Sequence, residues 1–213
     1  MSLAELGDVG RARIARVLEA LGPSEAFPVG AAERLCTLCN LVVEWNRRID
    51  LTAARDIDEL VDLMVADAAV LARTRPPHRE RWIDVGSGAG APGLALCVLA
   101  PQLYMTLVEP RDKRVAFLRT ALGTLDLPNV VVERRRSSEL PSASGQVAVS
   151  RATLPPPQWL EEGARLATHA VWVLLAREPP PSLADWRIDY DEAYRLPLTG
   201  AERRIVRFVP APS

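Results

Sequence analysis

The chain has 213 residues, of which 48% are hydrophobic and 25% charged, with a formal net charge of −1. That length suits one sizeable α/β domain with an extra element and is short for two full domains. The near-neutral balance excludes the global basic field that advertises a nucleic-acid partner by charge alone, and no apolar run is long enough to span a membrane.

The first 75 residues read as helices. The opening MSLAELGDVGRARIARVLEALG carries acids and arginines where a signal peptide needs an apolar block, so a cytoplasmic protein is expected. Leu3, Leu6, Ile14, Val17, Leu18 and Leu21 share one helical face, and Gly22-Pro23 stops it. A second helix is expected over 31–48. Cys36 and Cys39 fall inside its apolar pattern, and no further cysteine pair completes a zinc site, so core packing is the reading. Asp56 is placed to cap a third helix carrying Ile57, Leu60, Val61, Met64, Val65, Ala68 and Leu71. The proline-containing stretch 73–80 reads as a linker.

From Arg81 the pattern alternates. RWIDV, LYMTLVE, NVVVE, QVAVS, AVWVLLA and RRIVRFV read as strands; 94–100, 113–125 and 159–168 read as helices. Alternation of this kind predicts an α/β fold with a mostly parallel sheet and ligands beyond the carboxyl ends of the strands. The expected organisation is a helical region over 1–75 and a compact ligand-binding unit over 76–213.

The segment WIDVGSGAGAPG, directly after the first strand, is the clearest ligand signal. Gly88, Gly90 and Gly93 match a dinucleotide G-x-G-x-x-G literally, and Gly86, Gly88 and Ala91 match its permissive form, but the pattern is weak on its own. Asp84 precedes the loop, where its carboxylate opposes a pyrophosphate and suits an ammonium or sulfonium. Glu109 ends the next strand, where a carboxylate accepts hydrogen bonds from both ribose hydroxyls. Together they describe a nucleoside joined to a positive group, which fits S-adenosylmethionine better than NAD. The plainer alternatives are a loop-capping Asp84 and a solvated Glu109. No P-loop is present, and neither His78 nor His169 adjoins a nucleophile motif.

The ordered set VVEWNRRIDLTAARDIDEL, DVGSGAGAPGLAL, TLVEPRDKRVAFLRTAL, LPNVVVERRRSSEL and VSRA resembles the bacterial RsmG/GidB family, over about Leu35 to Arg151, with a weaker echo at GAERRIVRFV. The resemblance implies a class I methyltransferase: a seven-stranded, Rossmann-like sheet with an N-terminal helical extension. It implies S-adenosylmethionine as cofactor and N7 of a guanine in small-subunit ribosomal RNA as acceptor. The partner is then ribosomal RNA or the small subunit, and the enzyme a monomer. Carried over residue by residue, the cofactor site comprises Asp84, Gly86, Ser87, Gly88, Gly90, Ala91, Glu109 and Pro110, with Ser137, Ser138 and Glu139 near the adenine and Arg151 at the shared cofactor and substrate pocket. Ala91 stands where the family usually has a bulkier apolar residue, and Ser137-Ser138 where it has an Ala-Glu-like pair. In the third helix Asp67 is kept, while Asp62, Leu63 and Ala68 replace the family's usual polar residues.

Arg134, Arg135 and Arg136 are the clearest basic run; Arg134 and Arg136 are candidates to hold substrate phosphates, the alternative being a solvated loop. Asn46, Asp50 and Thr52 are expected to fix a helix–loop junction. Guanine N7 attacks through a free lone pair, so in-line displacement needs no general base and no catalytic residue is assigned. Competing readings are a same-fold methyltransferase with another substrate, an NAD-binding oxidoreductase resting on the literal glycine pattern, and a non-catalytic binding protein.

Overall fold

A computed structural model describes residues 3, 5–23, 26–74 and 76–212. Helices α1 (Gly7–Leu21) and α2 (Ala31–Asn46) come first. Next, α3 (Ile57–Val61), a π-helical turn (Asp62–Ala66) and α4 (Asp67–Arg73) run on without a break. The expected single third helix is therefore interrupted by a widened turn. Asp56 caps α3 as the sequence suggests, accepting the Glu59 N–H at 2.9 Å. The expected second helix ends two residues early, at Asn46, whose Oδ1 accepts the N–H groups of Leu51 and Thr52 and turns the chain away.

Seven strands form one sheet: β1 (Arg81–Val85), β2 (Tyr104–Val108), β3 (Val130–Glu133), β4 (Gly145–Ser150), β5 (Ala167–Leu175), β6 (Trp186–Arg195) and β7 (Glu202–Pro210). Their order is β3-β2-β1-β4-β5-β7-β6. All pairings from β3 to β5 are parallel, and β7 is antiparallel to both its neighbours. Three helices link the parallel strands: α5 (Gly93–Leu99), α6 (Asp112–Leu125) and α7 (Pro156–Leu166).

The central strands are buried on both faces because helices cover each side of the sheet, and successive residues alternate between the two cores. On β1, Trp82 packs with α1 to α6, whereas Ile83 and Val85 pack with α7. On β5, Trp172 joins the first core, and Val171 and Val173 the second. The N-terminal helices share the first core with α5 and the sheet, and Trp45 of α2 meets Phe117 of α6 edge-on at 5.8 Å. Cys36 and Cys39 are buried in that core.

Two differences concern the C-terminal third. The helix expected over 159–168 stops at Leu166, and Ala167 opens β5. The residue pattern also misses β6 altogether. WRIDYDEAYR is acid-rich and its strand sits at the sheet edge, pairing only with β7, so its signature is not an apolar alternation. Its Asp189 and Asp191 instead pair across to Arg207 and Arg204 at 2.7 and 2.6 Å.

Candidate functional site

The order of strands reverses between β1 and β4, and a crevice opens at their carboxyl ends. Two cavities lie there and share Thr153 and Leu154. One, about 430 Å³, is a slot bordered by Gly86, Pro110, Ser137 and Ser138. The other, about 510 Å³, is bordered by Leu63, Asp67, Arg151, Trp159, Glu178 and Arg203.

The glycine loop over 86–93 borders the first of these through Gly86, whereas Asp84, Ser87, Gly88, Gly90 and Glu109 lie behind that lining. Gly86, Gly88 and Gly90 all have positive φ, at 73°, 52° and 86°. At Gly86 a Cβ would also collide with the Thr153 hydroxyl, so this position is glycine on two counts. Gly93 opens α5, and a Cβ there would lie 2.5 Å from Asp84 Oδ2. The missing side chain lets the Asp84 carboxylate take the Gly93 N–H at 3.1 Å.

Asp84 therefore caps the helix start, which is the plainer of its two sequence readings. Its other oxygen, Oδ1, is buried with no hydrogen-bond partner among the described residues. Burial pushes the Asp84 carboxyl up to about 6, against the lowering effects of the Gly93 N–H, Ser87 and the charge of Arg151. Ser87 Oγ donates to the Asp84 carbonyl at 2.9 Å and tightens the turn.

Glu109 is 2% exposed, not a solvated strand end. Its Oε2 accepts the Gly88 N–H at 3.1 Å and its Oε1 the Arg111 N–H at 2.9 Å. A carboxylate offers about four acceptor sites, so both oxygens keep capacity for further donors. The Glu109 bond to Gly88 ties the loops after β1 and β2 into one cradle.

Pro110, Ser137 and Ser138 border the slot. Glu139 does not border it; its Oε2 accepts the Arg136 N–H at 2.7 Å. Ala91 is buried in the first core and borders neither cavity. Arg136 borders the slot, while Arg134 is exposed and ion-paired to Asp112 at 2.6 Å. Arg151 lies on the second cavity, donating to the Leu63 carbonyl and pairing with Asp67 at 3.3 Å. Asp67 also accepts from the Tyr194 hydroxyl.

The sequence reading overlooked Leu63, which borders the second cavity, and Tyr194 and Asp62, which lie outside it but hold its surroundings in place. Leu63 contributes a backbone carbonyl from within the π-helical turn, a feature no side chain announces; such turns recur at functional sites. Tyr194 lies on the overlooked β6. Asp62, one of the departures in the third helix, is 1% exposed and accepts from Leu198 N, Thr199 N and the Thr199 hydroxyl. It pins the β6–β7 hairpin to the helix, and in this chain that is its visible task.

A family model described as rRNA small subunit methyltransferase G matches residues 31–174. The ribosomal RNA small subunit methyltransferase G of Myxococcus xanthus is 32% identical, over 92% of this chain and 95% of that relative. The protein of the same name from Paracoccus denitrificans is 31% identical, over 74% and 84%. Among solved structures, a SAM-dependent methyltransferase from Aquifex aeolicus matches 70% of this chain and 92% of its own, with a TM-score of 0.50 at 16% identity. A Burkholderia thailandensis 1,6-didemethyltoxoflavin-N1-methyltransferase holding S-adenosylhomocysteine matches 68% and 77%, with a TM-score of 0.54 at 11% identity. The solved structures speak for the fold, a class I methyltransferase sheet.

Proposed function

The chain belongs to the GidB family, rRNA small subunit methyltransferase G, and from that premise we propose that it transfers a methyl group from S-adenosylmethionine to N7 of a guanine in small-subunit ribosomal RNA. The observation that carries the cofactor half is the cradle itself. Glu109 spans two loops with acceptor capacity to spare, and Asp84 Oδ1 lies buried and unpaired beneath the glycine turn.

These residues fit the cofactor. Glu109 suits the ribose hydroxyls, the slot beside Pro110 suits an adenine, and the buried negative charge of Asp84 favours a positively charged group close by. S-adenosylmethionine, when bound, supplies an electrophilic methyl group on a sulfonium. The loop backbone over 86–90 and the Ser137–Ser138 segment would hold it.

The cavity bordered by Arg151 and Trp159 would receive the acceptor base. Arg151 enters it anchored from behind by Asp67 and the Leu63 carbonyl, so its guanidinium has a restricted orientation. Its remaining donors suit a phosphate or a base oxygen. A guanine N7 holds its lone pair without losing a proton, so the protein's task is alignment and water exclusion, effects worth up to about 7–11 kcal/mol. Arg136 and Arg134 would meet flanking phosphates, Arg134 after exchanging its exposed partner Asp112.

On this reading the protein acts as a monomer. The helical region over 1–75 then works as a wall of the acceptor site joined to the methyltransferase unit over 76–213. Ribosomal RNA as substrate supports a cytoplasmic location. The test is radiolabelled methyl transfer to naked ribosomal RNA, to assembled small subunits and to a metabolite pool. Label at a single small-subunit guanine N7 is expected. Label confined to the metabolite pool would overturn the substrate, and thermal stabilisation by NAD but not by S-adenosylhomocysteine would overturn the cofactor.

A further inference from the structure

The slot beside Glu109 has a wall supplied neither by the glycine loop nor by the strand ends. Glu162, in the middle of α7, borders it, and it is the one carboxylate to do so among the described residues. Glu139, nearer in sequence to Ser137 and Ser138, is turned away to the Arg136 N–H. Arg165 holds Glu162 in place by a two-pronged pair, Nε to Oε2 at 2.8 Å and Nη2 to Oε1 at 2.9 Å. The same guanidinium donates to the carbonyls of Ser137 and Leu140, each at 2.8 Å. It therefore locks the Ser137 segment and the carboxylate together. The Ser137 side chain is a further partner of Glu162. The Arg165 hydrogen bond, outweighing burial, keeps Glu162 below the usual carboxylate range, so it stays charged at neutral pH.

A carboxylate has about four acceptor sites and no donor. Arg165 takes two and Ser137 one, which leaves about one acceptor open in an otherwise largely apolar slot. That arrangement receives a single N–H donor on a flat ring and repels a carbonyl oxygen in the same place. We propose that Glu162 reads the exocyclic amino group of the purine in this slot, with Arg165 as its positioning residue, so that adenine is distinguished from a 6-oxo purine by a helix α7 side chain. This rests on the S-adenosylmethionine reading above.

The test is calorimetric titration of the full chain with S-adenosylhomocysteine, S-inosylhomocysteine and the analogue whose purine lacks the 6-amino group. The wild-type protein should bind the adenosyl ligand about tenfold or more tightly than either of the others, the size of a hydrogen bond to a charged group. Glu162→Gln offers a donor in place of an acceptor and should narrow or invert the adenosyl-to-inosyl ratio. A purely structural role would weaken all three ligands alike and leave their ratios unchanged, and that result overturns the proposal. Arg165→Lys keeps the charge and one contact and should retain part of the preference that Arg165→Met loses. If a variant fails to fold, the wild-type comparison decides: equal affinity for the adenosyl and desamino ligands overturns the proposal. A wild-type protein that binds none of the three overturns the cofactor reading, a distinguishable outcome that takes this inference with it.

Discussion

The two halves of the crevice are built by different means. In the half proposed to hold the cofactor, the contacts that set the cradle join positions 9 and 21 apart: Asp84 to Gly93 and Gly88 to Glu109. In the half proposed to hold the acceptor, Arg151 meets Asp67 and the Leu63 carbonyl across 84 and 88 positions, and Tyr194 meets Asp67 across 127. The glycine cradle is complete once β1, α5 and β2 have assembled, whereas the slot beside it also needs Thr153, the Ser137 segment and α7. The second half exists only when the π-helical turn, β4 and the β6–β7 hairpin are docked together. On the proposed assignment, substrate preference is then separable from cofactor binding.

The sharpest way to break this contrast is at the loop. Gly86→Val would force a branched side chain into φ 73° and against Thr153, at an expected cost above about 3 kcal/mol in urea unfolding, with cofactor binding lost. A stable variant that still binds S-adenosylhomocysteine would show that the cradle is not held by backbone geometry. Asp84 comes next. Its folded-state pKa is raised from 3.8 to about 6, so the folded protein keeps a proton there that the unfolded chain has already released. Stability from this group is present at low pH and falls as pH rises from about 4 through 6, by up to about 3 kcal/mol. Asp84→Asn should remove that slope, making the protein more stable than wild type at pH 8, yet weaken binding of the sulfonium cofactor. Urea midpoints at pH 5 and pH 8, with calorimetry at pH 8, read both effects.

Glu109→Ala should weaken S-adenosylhomocysteine by at least about 1 kcal/mol through lost charge-assisted hydrogen bonds; unchanged affinity by calorimetry would remove the ribose assignment. Asp67→Asn probes the other half. It frees Arg151 from its anchor and should lower methyl transfer about tenfold, roughly 1.4 kcal/mol, while leaving S-adenosylhomocysteine affinity within about twofold. A parallel collapse of cofactor affinity would erase the distinction between the halves. The smallest effect is expected at the exposed arginines. Arg134→Glu with Arg136→Glu should reduce RNA affinity and flatten its dependence on salt, and a salt slope equal to wild type would make the run a bystander.

The geometry of the glycine cradle was legible because its signals are local. The glycine spacing, an acid before it and an acid at the next strand end lie within 26 consecutive residues and depend on strand-to-loop geometry. Asp84 was the partial exception: its type pointed to a cation, whereas packing also gave it the Gly93 N–H to cap. The acceptor half was far less legible. Asp62, Leu63 and Asp67 look like ordinary positions on a helix, and only the widened turn directs a carbonyl at Arg151. Glu162 reads as the polar face of an amphipathic helix until α7 is laid beside the Ser137 segment. β6 was invisible because an edge strand that answers its neighbour with ion pairs needs no apolar alternation.

The sequence by itself determined the alternating strands and helices, the glycine turn and the two carboxylates that flank it. Hydrophobic period, glycine's access to positive φ and the chemistry of strand ends act within a few residues of one another. Tertiary structure alone decided which distant groups share the acceptor cavity, that Glu139 turns away while Glu162 faces the slot, and that Asp84 keeps one oxygen unpaired. Those outcomes depend on which surfaces meet when the N-terminal helices, α7 and the β6–β7 hairpin close over the sheet.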